Sequence, residues 1–325
     1  MKKKLLLSLF LIVSLFLTAC GDTETSSNEE SKTLSIYTTV YPLQFLAEQI
    51  GGEFVNVQSV YPPGANEHTY EPSQKDIINM AESDLFLYIG YNLEGFVKSS
   101  QSIFEDEGVT VVAVGEHALK EHEHADEHSE VKNAEKEHSH SEEESHDGHN
   151  HGDVDPHIWL DPHLMIDMAA VVKEELNTLL PDQTTILEEN FKALESKLVD
   201  LDEKFATTIE NSNKKEIIVS HAAYGYWEDR YGIEQIAVTG LTNSSEPSQK
   251  ELENIMQTAE EHDIHYVLFE QNVSSNLAEI IKNEIGAESL TVHNLSVLTG
   301  DDIANNKDYF SLMEANLKTL KTALK

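Results

Sequence analysis

A chain of 325 residues with 39% hydrophobic content is long enough for two domains with separate cores and too apolar to be disordered throughout. Its 59 acidic residues against 22 basic ones give a net charge of -37, a field that repels phosphate backbones and concentrates cations. Nucleic acid is therefore excluded as a natural partner.

The first residues, MKKKLLLSLFLIVSLFLTAC, place three lysines before an apolar run from Leu5 to Leu17, shorter than the ~20 residues a membrane-spanning helix needs. This predicts an export signal over residues 1–19. Its end, Leu17-Thr18-Ala19-Cys20, resembles the lipobox of bacterial lipoproteins, in which the cysteine is acylated and begins the mature chain. Cys20 is the only cysteine in the sequence, so it has no disulfide partner within the chain, and lipid attachment is its simplest use. That implies a protein anchored on the outer face of the cytoplasmic membrane. Any zinc site must then use nitrogen and oxygen. Residues 20–32 are polar and aperiodic, as a tether would be.

From Thr33 the predicted elements alternate. TLSIYTTVY (33–41) reads as a strand, and Pro42 to Ile50 as a helix closed by Gly51-Gly52. VNVQSVY is a second strand leading into the turn-rich PPGANEH; SQKDIINMAESDLFLYIGY is a capped helix feeding a buried strand; VTVVAV (109–114) is another strand. This order predicts a parallel sheet covered on both faces. Over Glu116 to Asp155 the pattern stops, with nine histidines and fourteen acids but scarcely any large apolar residue. Such a segment cannot bury enough surface to offset its ordering entropy, which predicts a mobile insertion over 116–154.

Order resumes at DPHIWLDP, and HLMIDMAAVVKEEL reads as a helix. Beyond Pro181, apolar residues at Leu187, Phe191, Leu194, Leu198, Leu201, Phe205 and Ile209 fall in steps of four and three, one stripe on a helix of about 28 residues. The strands EIIVSHAAY, GIEQIAVTG, HYVLFEQ and LTVHNL then alternate with helices through SQKELENIMQTAEEH and SNLAEIIKNEIG, and a last amphipathic helix ends near Lys325. The expected fold class is α/β: an N-terminal lobe over 33–181, a linker helix over 182–211 and a C-terminal lobe over 212–325. Two parallel-type sheets joined by one long rigid helix leave a cleft between them. EPSQ occurs at 71–74 and again at 246–249, a hint of a duplicated lobe.

In open α/β sheets, ligands bind beyond the carboxyl ends of the strands. His68 follows strand VNVQSVY, His221 ends EIIVS, and His157 lies between the prolines of DPHIWLDP, where the backbone is stiff. A single histidine in such a place is more often a hydrogen-bonded imidazole than a ligand. Three of them, drawn from both lobes, point to a metal.

PPGANEHTYEPSQKDI, DPHIWLDP and VSHAAYGY together resemble the metal-binding lipoproteins of bacterial ABC importers for zinc and manganese, over residues 33 to 325. The resemblance implies a metal held between two lobes and delivered to a permease and its ATPase; the chain is expected to work as a monomer. It makes His68, His157 and His221 ligands. Manganese members carry a carboxylate at the third position, so His221 favours Zn2+ over Mn2+, as imidazole chemistry does. For the fourth ligand, VHNLSVLTG aligns Ser296, a poor zinc donor, with the family's late acidic residue. Glu67 or a water ranks first, ahead of Asp301, Asp302 or a histidine of the insertion.

The insertion's His117, His122, His124, His128, His138, His140, His146, His149 and His151 form an expected auxiliary collector of zinc. His163, His262, His265 and His293 are expected to be surface or packing residues. Asp155 and Asp161 are expected to orient a ligand imidazole or the loop around it, while Trp159, Tyr224 and Trp227 are large enough to wall the cleft. A membrane-anchored zinc hydrolase is the alternative, although the chain lacks an HExxH pair and a GxSxG elbow. A metal-binding adhesin lipoprotein is a third reading.

Overall fold

A computed structural model describes residues 33–120, 154–241, 247–272 and 275–325. The export signal, Cys20, the tether and histidines 122 to 151 lie outside the described residues.

The first lobe runs β1 (Leu34–Thr38), α1 (Tyr41–Gly51), β2 (Val55–Ser59), α2 (Gln74–Ala81), β3 (Leu85–Tyr88), α3 (Gly95–Glu107), β4 (Thr110–Ala113) and a helix α4 over 114–120. Its four strands lie in the order β2-β1-β3-β4, all parallel. A single 3-10 turn, Ile158–Leu160, precedes α5 (Pro162–Leu179) and the long α6 (Thr184–Glu210). The second lobe follows with β5 (Glu216–His221), α7 (Gly225–Tyr231), β6 (Glu234–Thr239), α8 (Gln249–Glu261), β7 (Tyr266–Glu270), α9 (Asn276–Glu284), β8 (Glu288–Val292), α10 (Gly300–Ala304) and α11 (Tyr309–Ala323). Its strand order, β6-β5-β7-β8, again parallel, repeats that of the first sheet.

The repeated string marks the same place in both lobes. After the second strand of each sheet, a serine caps the next helix: Ser73 with Asp76 on α2, Ser248 with Glu251 on α8, each a reciprocal capping box. The duplication hinted at by four residues thus coincides with equal topology and equal capping.

The stripe on α6 behaves as its spacing requires. All seven of its apolar residues, from Leu187 to Ile209, are buried. The chain's single arginine, Arg230 on α7, closes on α6 with two hydrogen bonds to Asp202, 2.8 and 2.7 Å long.

The DPHIWLDP segment is fastened from several sides. Trp159 Nε1 donates to Asn294 O, Trp227 Nε1 to Leu160 O and Tyr309 OH to Trp159 O, at 2.7, 2.7 and 2.8 Å. Asp161 caps α5 through the His163 amide at 2.7 Å, with Pro162 in the first turn, where its missing N–H costs nothing. This turn is therefore a rigid shelf, and His157 stands at its edge.

Four details differ from the sequence expectation. Tyr41 opens α1 rather than closing β1, because Val40 turns the chain and Pro42 suits a helix start. Residues 114–120 are helical, so the expected loop does not begin at Glu116: Ala118 is buried and Glu116 accepts from the Tyr91 amide at 3.1 Å. The last strand ends at Val292, which leaves His293 and Asn294 in the loop beyond it. Helices α3, α7 and α10 carry no counterpart in the sequence reading.

Candidate metal centre

His68 sits on the loop after β2, His157 at the entrance to the 3-10 turn, and His221 at the last position of β5. The two lobes bring them together. One ring nitrogen of each lies within 4.8 Å of the other two, and this is the only such group among the described residues. The rings pack edge to face with centroids 5.3, 5.1 and 5.0 Å apart. His157 and His221 are almost wholly buried, at 0% and 1% exposure.

Each of the two buried rings is held by a carboxylate on Nδ1. Asp155 Oδ1 is 2.7 Å from His157 Nδ1 and also accepts from the His157 amide at 2.9 Å. Glu270 Oε1 is 2.9 Å from His221 Nδ1. Each carboxylate contact takes the proton on Nδ1, which at His157 leaves Nε2 turned into the cluster. His157 Nε2 and His68 Nε2 then stand 3.3 Å apart. Two ring nitrogens at that distance are close enough to share a proton or a cation.

Electrostatics split the rings. Burial, reinforced by the two neighbouring imidazoles, pulls His68 down to about 3 from its ordinary 6.5. Burial also pulls on His221, but the hydrogen bond and charge of Glu270 outweigh it and raise the ring to about 9. The Nε2 of His221 meanwhile faces Leu241 O at 3.0 Å.

Glu67 stands at the rim of the cluster. It is 1% exposed, and its Oε1 lies 3.8 Å from His68 Nε2 and accepts from Asn294 Nδ2 at 3.0 Å. Its Oε2 is buried without a hydrogen-bond partner, as is Glu270 Oε2. Burial first, and then the charge of Glu270, raises the Glu67 carboxyl above its ordinary value. Uncompensated buried oxygens of this kind are what a bound cation or a water satisfies.

The other named residues fall elsewhere. Asp302 caps α10 through Thr299 and lies 3.2 Å from His293 Nε2, and Asp301 is exposed on the same helix. Ser296 is fully buried and donates to Asn294 Oδ1 at 2.9 Å. His262 pairs with Glu216 and His265 with Asp263, at 2.7 and 3.3 Å. His163 follows the Asp161 cap, and His117 is exposed on α4; neither joins the group of three. Trp159 packs its ring 5.3 Å from His157, while Tyr224 and Trp227 stack on each other with centroids 4.7 Å apart. Asp161 touches no histidine of the group; its backbone and Arg230 contacts serve the shelf.

Sequence reasoning anticipated Asp155 but missed Glu270 and Asn294. Glu270 ends β7 just as His221 ends β5, yet only the pairing of those strands, 49 residues apart, makes them neighbours. Asn294 lies beyond the end of β8, in a string whose polar residues give no cue to their direction.

A cavity of about 410 Å³ lies away from the histidines, between α3 and β4 and lined in part by Tyr88, Glu94 and Phe104. Its buried carboxylate, Glu94, is fully engaged by the Ile89 and Gly90 amides and the Thr39 hydroxyl.

Fold and site together define a two-lobed α/β binding protein with a nitrogen-rich centre between its halves. Residues 36–323 match the family described as zinc-uptake complex component A, periplasmic, and the chain belongs to that family. It is 33% identical over 321 residues to the high-affinity zinc uptake system protein ZnuA of Bacillus subtilis, covering 97% of both chains. It is 32% identical over 320 residues to the zinc-binding lipoprotein AdcA of Streptococcus pneumoniae, covering 98% of this chain but only 60% of that protein's length. Among solved structures it resembles the Zn(II)-bound ZnuA-like domain of Streptococcus pneumoniae AdcA, with a TM-score of 0.70, 28% identity, and coverage of 90% of this chain and 99% of that one.

Proposed function

We propose that this chain captures a zinc ion outside the membrane and passes it to an ABC permease driven by its ATPase. His68, His157 and His221 are the ligands, and Glu67 or a water completes the shell. The observation that carries this reading is the convergence of three imidazole nitrogens from both lobes to within 4.8 Å of one another. Family membership and the zinc-related names of the relatives support it.

The donor set favours zinc over manganese, because imidazole suits the borderline-soft ion and carboxylate the harder one. Three neutral rings with one carboxylate leave the loaded centre at a net charge of about +1, enough to bind and still release. No described helix is long and apolar enough to cross a membrane. Attachment through a lipid on Cys20 would hold the protein beside its permease, working as a monomer.

The test is a competition titration against a zinc chelator with wild type and with each histidine changed to alanine. Wild type should take up one tight zinc per chain. Each variant should lose at least ~100-fold in affinity, since a tetrahedral site deprived of a ligand keeps only a fragment of its shell. Three variants that bind like wild type would end the assignment. Turnover of ester, peptide or phosphate probes in proportion to bound zinc would convert the receptor into a hydrolase.

A further inference from the structure

The loop that carries Glu67 and His68 belongs to the first lobe but is fastened by the second. Three hydrogen bonds cross the cleft to it: Gly64 N donates to Leu298 O at 3.0 Å, Asn272 Nδ2 to Ala65 O at 2.9 Å, and Asn294 Nδ2 to Glu67 Oε1 at 3.0 Å. The last is the only one of the three made to a side chain of the site.

Asn294 is itself immobilised. Its Oδ1 accepts from Gln271 Nε2, the Ser296 amide and the Ser296 hydroxyl, at 3.1, 3.1 and 2.9 Å. Three donors on one atom settle which end of the amide is oxygen, so the NH₂ group must face Glu67. Its backbone is held as well, the N–H donating to Gln271 Oε1 at 3.1 Å and the carbonyl accepting from Trp159. The next residue, Leu295, takes a left-handed φ of 60°, a conformation costly for a branched side chain that persists only where its surroundings enforce it.

We infer that Asn294 is a positioning residue that acts through Glu67: its amide reaches across the cleft and holds the carboxylate against the imidazole cluster, so that the fourth donor is in place only while the two lobes are in register. The inference rests on the proposed zinc site. The oxygen tied to Asn294, Oε1, is the one that lies 3.8 Å from His68 Nε2, while Oε2 is buried without a hydrogen-bond partner. Ser296, held beside it, fixes Asn294 rather than ligating. Parting the lobes breaks the Asn294 bond and frees Glu67 to swing away, which couples release of the ion to opening.

The experiment is a double-mutant cycle with Glu67→Ala and Asn294→Ala, reading zinc affinity by chelator competition and donor type by X-ray absorption at the zinc edge. Each single variant should weaken binding ~10–100-fold, the usual cost of losing a partner that orients a metal ligand. The double variant should bind no more weakly than Glu67→Ala alone, and Asn294→Ala should lose the same oxygen donor that Glu67→Ala loses. Additive losses, or an unchanged donor shell in Asn294→Ala, overturn the inference. If Asn294→Ala fails to fold, Glu67→Ala still decides: unchanged affinity and donor count in that variant refute a role exerted through Glu67. Loss of zinc binding in His157→Ala, measured alongside, separates failure of this inference from failure of the zinc reading.

Discussion

On the proposed ligand assignment, His221 exchanges a proton for a cation when the site fills. With Glu270 on Nδ1 and Leu241 O opposite Nε2, the ring is charged up to about pH 9, whereas His68, held down to about 3, is neutral through the physiological range. Zinc binding near pH 7 should therefore release one proton from His221 and none from His68, and affinity should rise about tenfold per pH unit toward 9. Calorimetry in two buffers of different ionisation enthalpy measures that proton; a release of zero would refute it. The same groups shape stability without metal, with opposite signs. The raised ring of His221 stabilises the fold fully below its ordinary 6.5, and that contribution is lost as pH rises through 9. The depressed ring of His68 works the other way: below 6.5 the unfolded chain takes up a proton that the folded one refuses, so stability falls as pH drops toward 3. In melting temperatures across pH, these two rings together contribute most to the metal-free fold near pH 6.5, with an acid limb set by His68 and an alkaline limb set by His221. Changing His221 to Gln should flatten the alkaline limb only.

At the scale of elements, α6 is the clearest case of structure written in sequence. The seven apolar residues of its stripe are all buried, so Leu198→Ala, at a fully enclosed position, should cost about 2–5 kcal/mol through lost burial and an unfilled cavity. Urea denaturation reads that loss; the zinc stoichiometry should stay at one, because Leu198 touches none of the three histidines. The helix was legible because 27 residues repeat the pattern often enough to exclude other periods. By contrast α3 opens at Gly95 after Glu94, which makes no side-chain cap, and α7 and α10 have only seven and five residues, too few to show a period. The three converging histidines were legible because each follows a strand signal or sits between prolines. Glu270 and Asn294 were not, since what brings them to the cluster is which strand lies beside which, a fact of tertiary pairing that no local spacing carries. Ser296 was singled out by alignment alone, whereas the chain directs it toward Asn294.

Across the whole molecule, the buried apolar residues form two clusters of unequal reach. The larger runs through both lobes and α6, taking in Ile36 and Leu46 at one end and Trp227 and Leu320 at the other. The smaller is confined to the outer side of the second sheet, where Ile218, Val267, Ile255 and Ile281 hold α8 and α9. An ion gripped by His68 from one side and His221 from the other adds a link within the larger cluster's territory and none within the smaller. By mass action, zinc held at ~1,000 times its dissociation constant adds about 4 kcal/mol to the folded state. With an unfolding entropy of about 2.1 cal/mol/K per residue, that raises the melting temperature of a chain of this size by roughly 6 °C. Hydrogen exchange should then show where the gain goes. Amides of the loops after β2, β5 and β8 should slow on zinc binding together, because the ligands and the cross-cleft bonds to Gly64, Ala65 and Glu67 tighten as one unit. Those of α8 and α9 should exchange as before, since the smaller cluster can open without disturbing the site. Slowing limited to the His68 loop, with the β5 and β8 loops unchanged, would mean the ion is bound by one lobe alone.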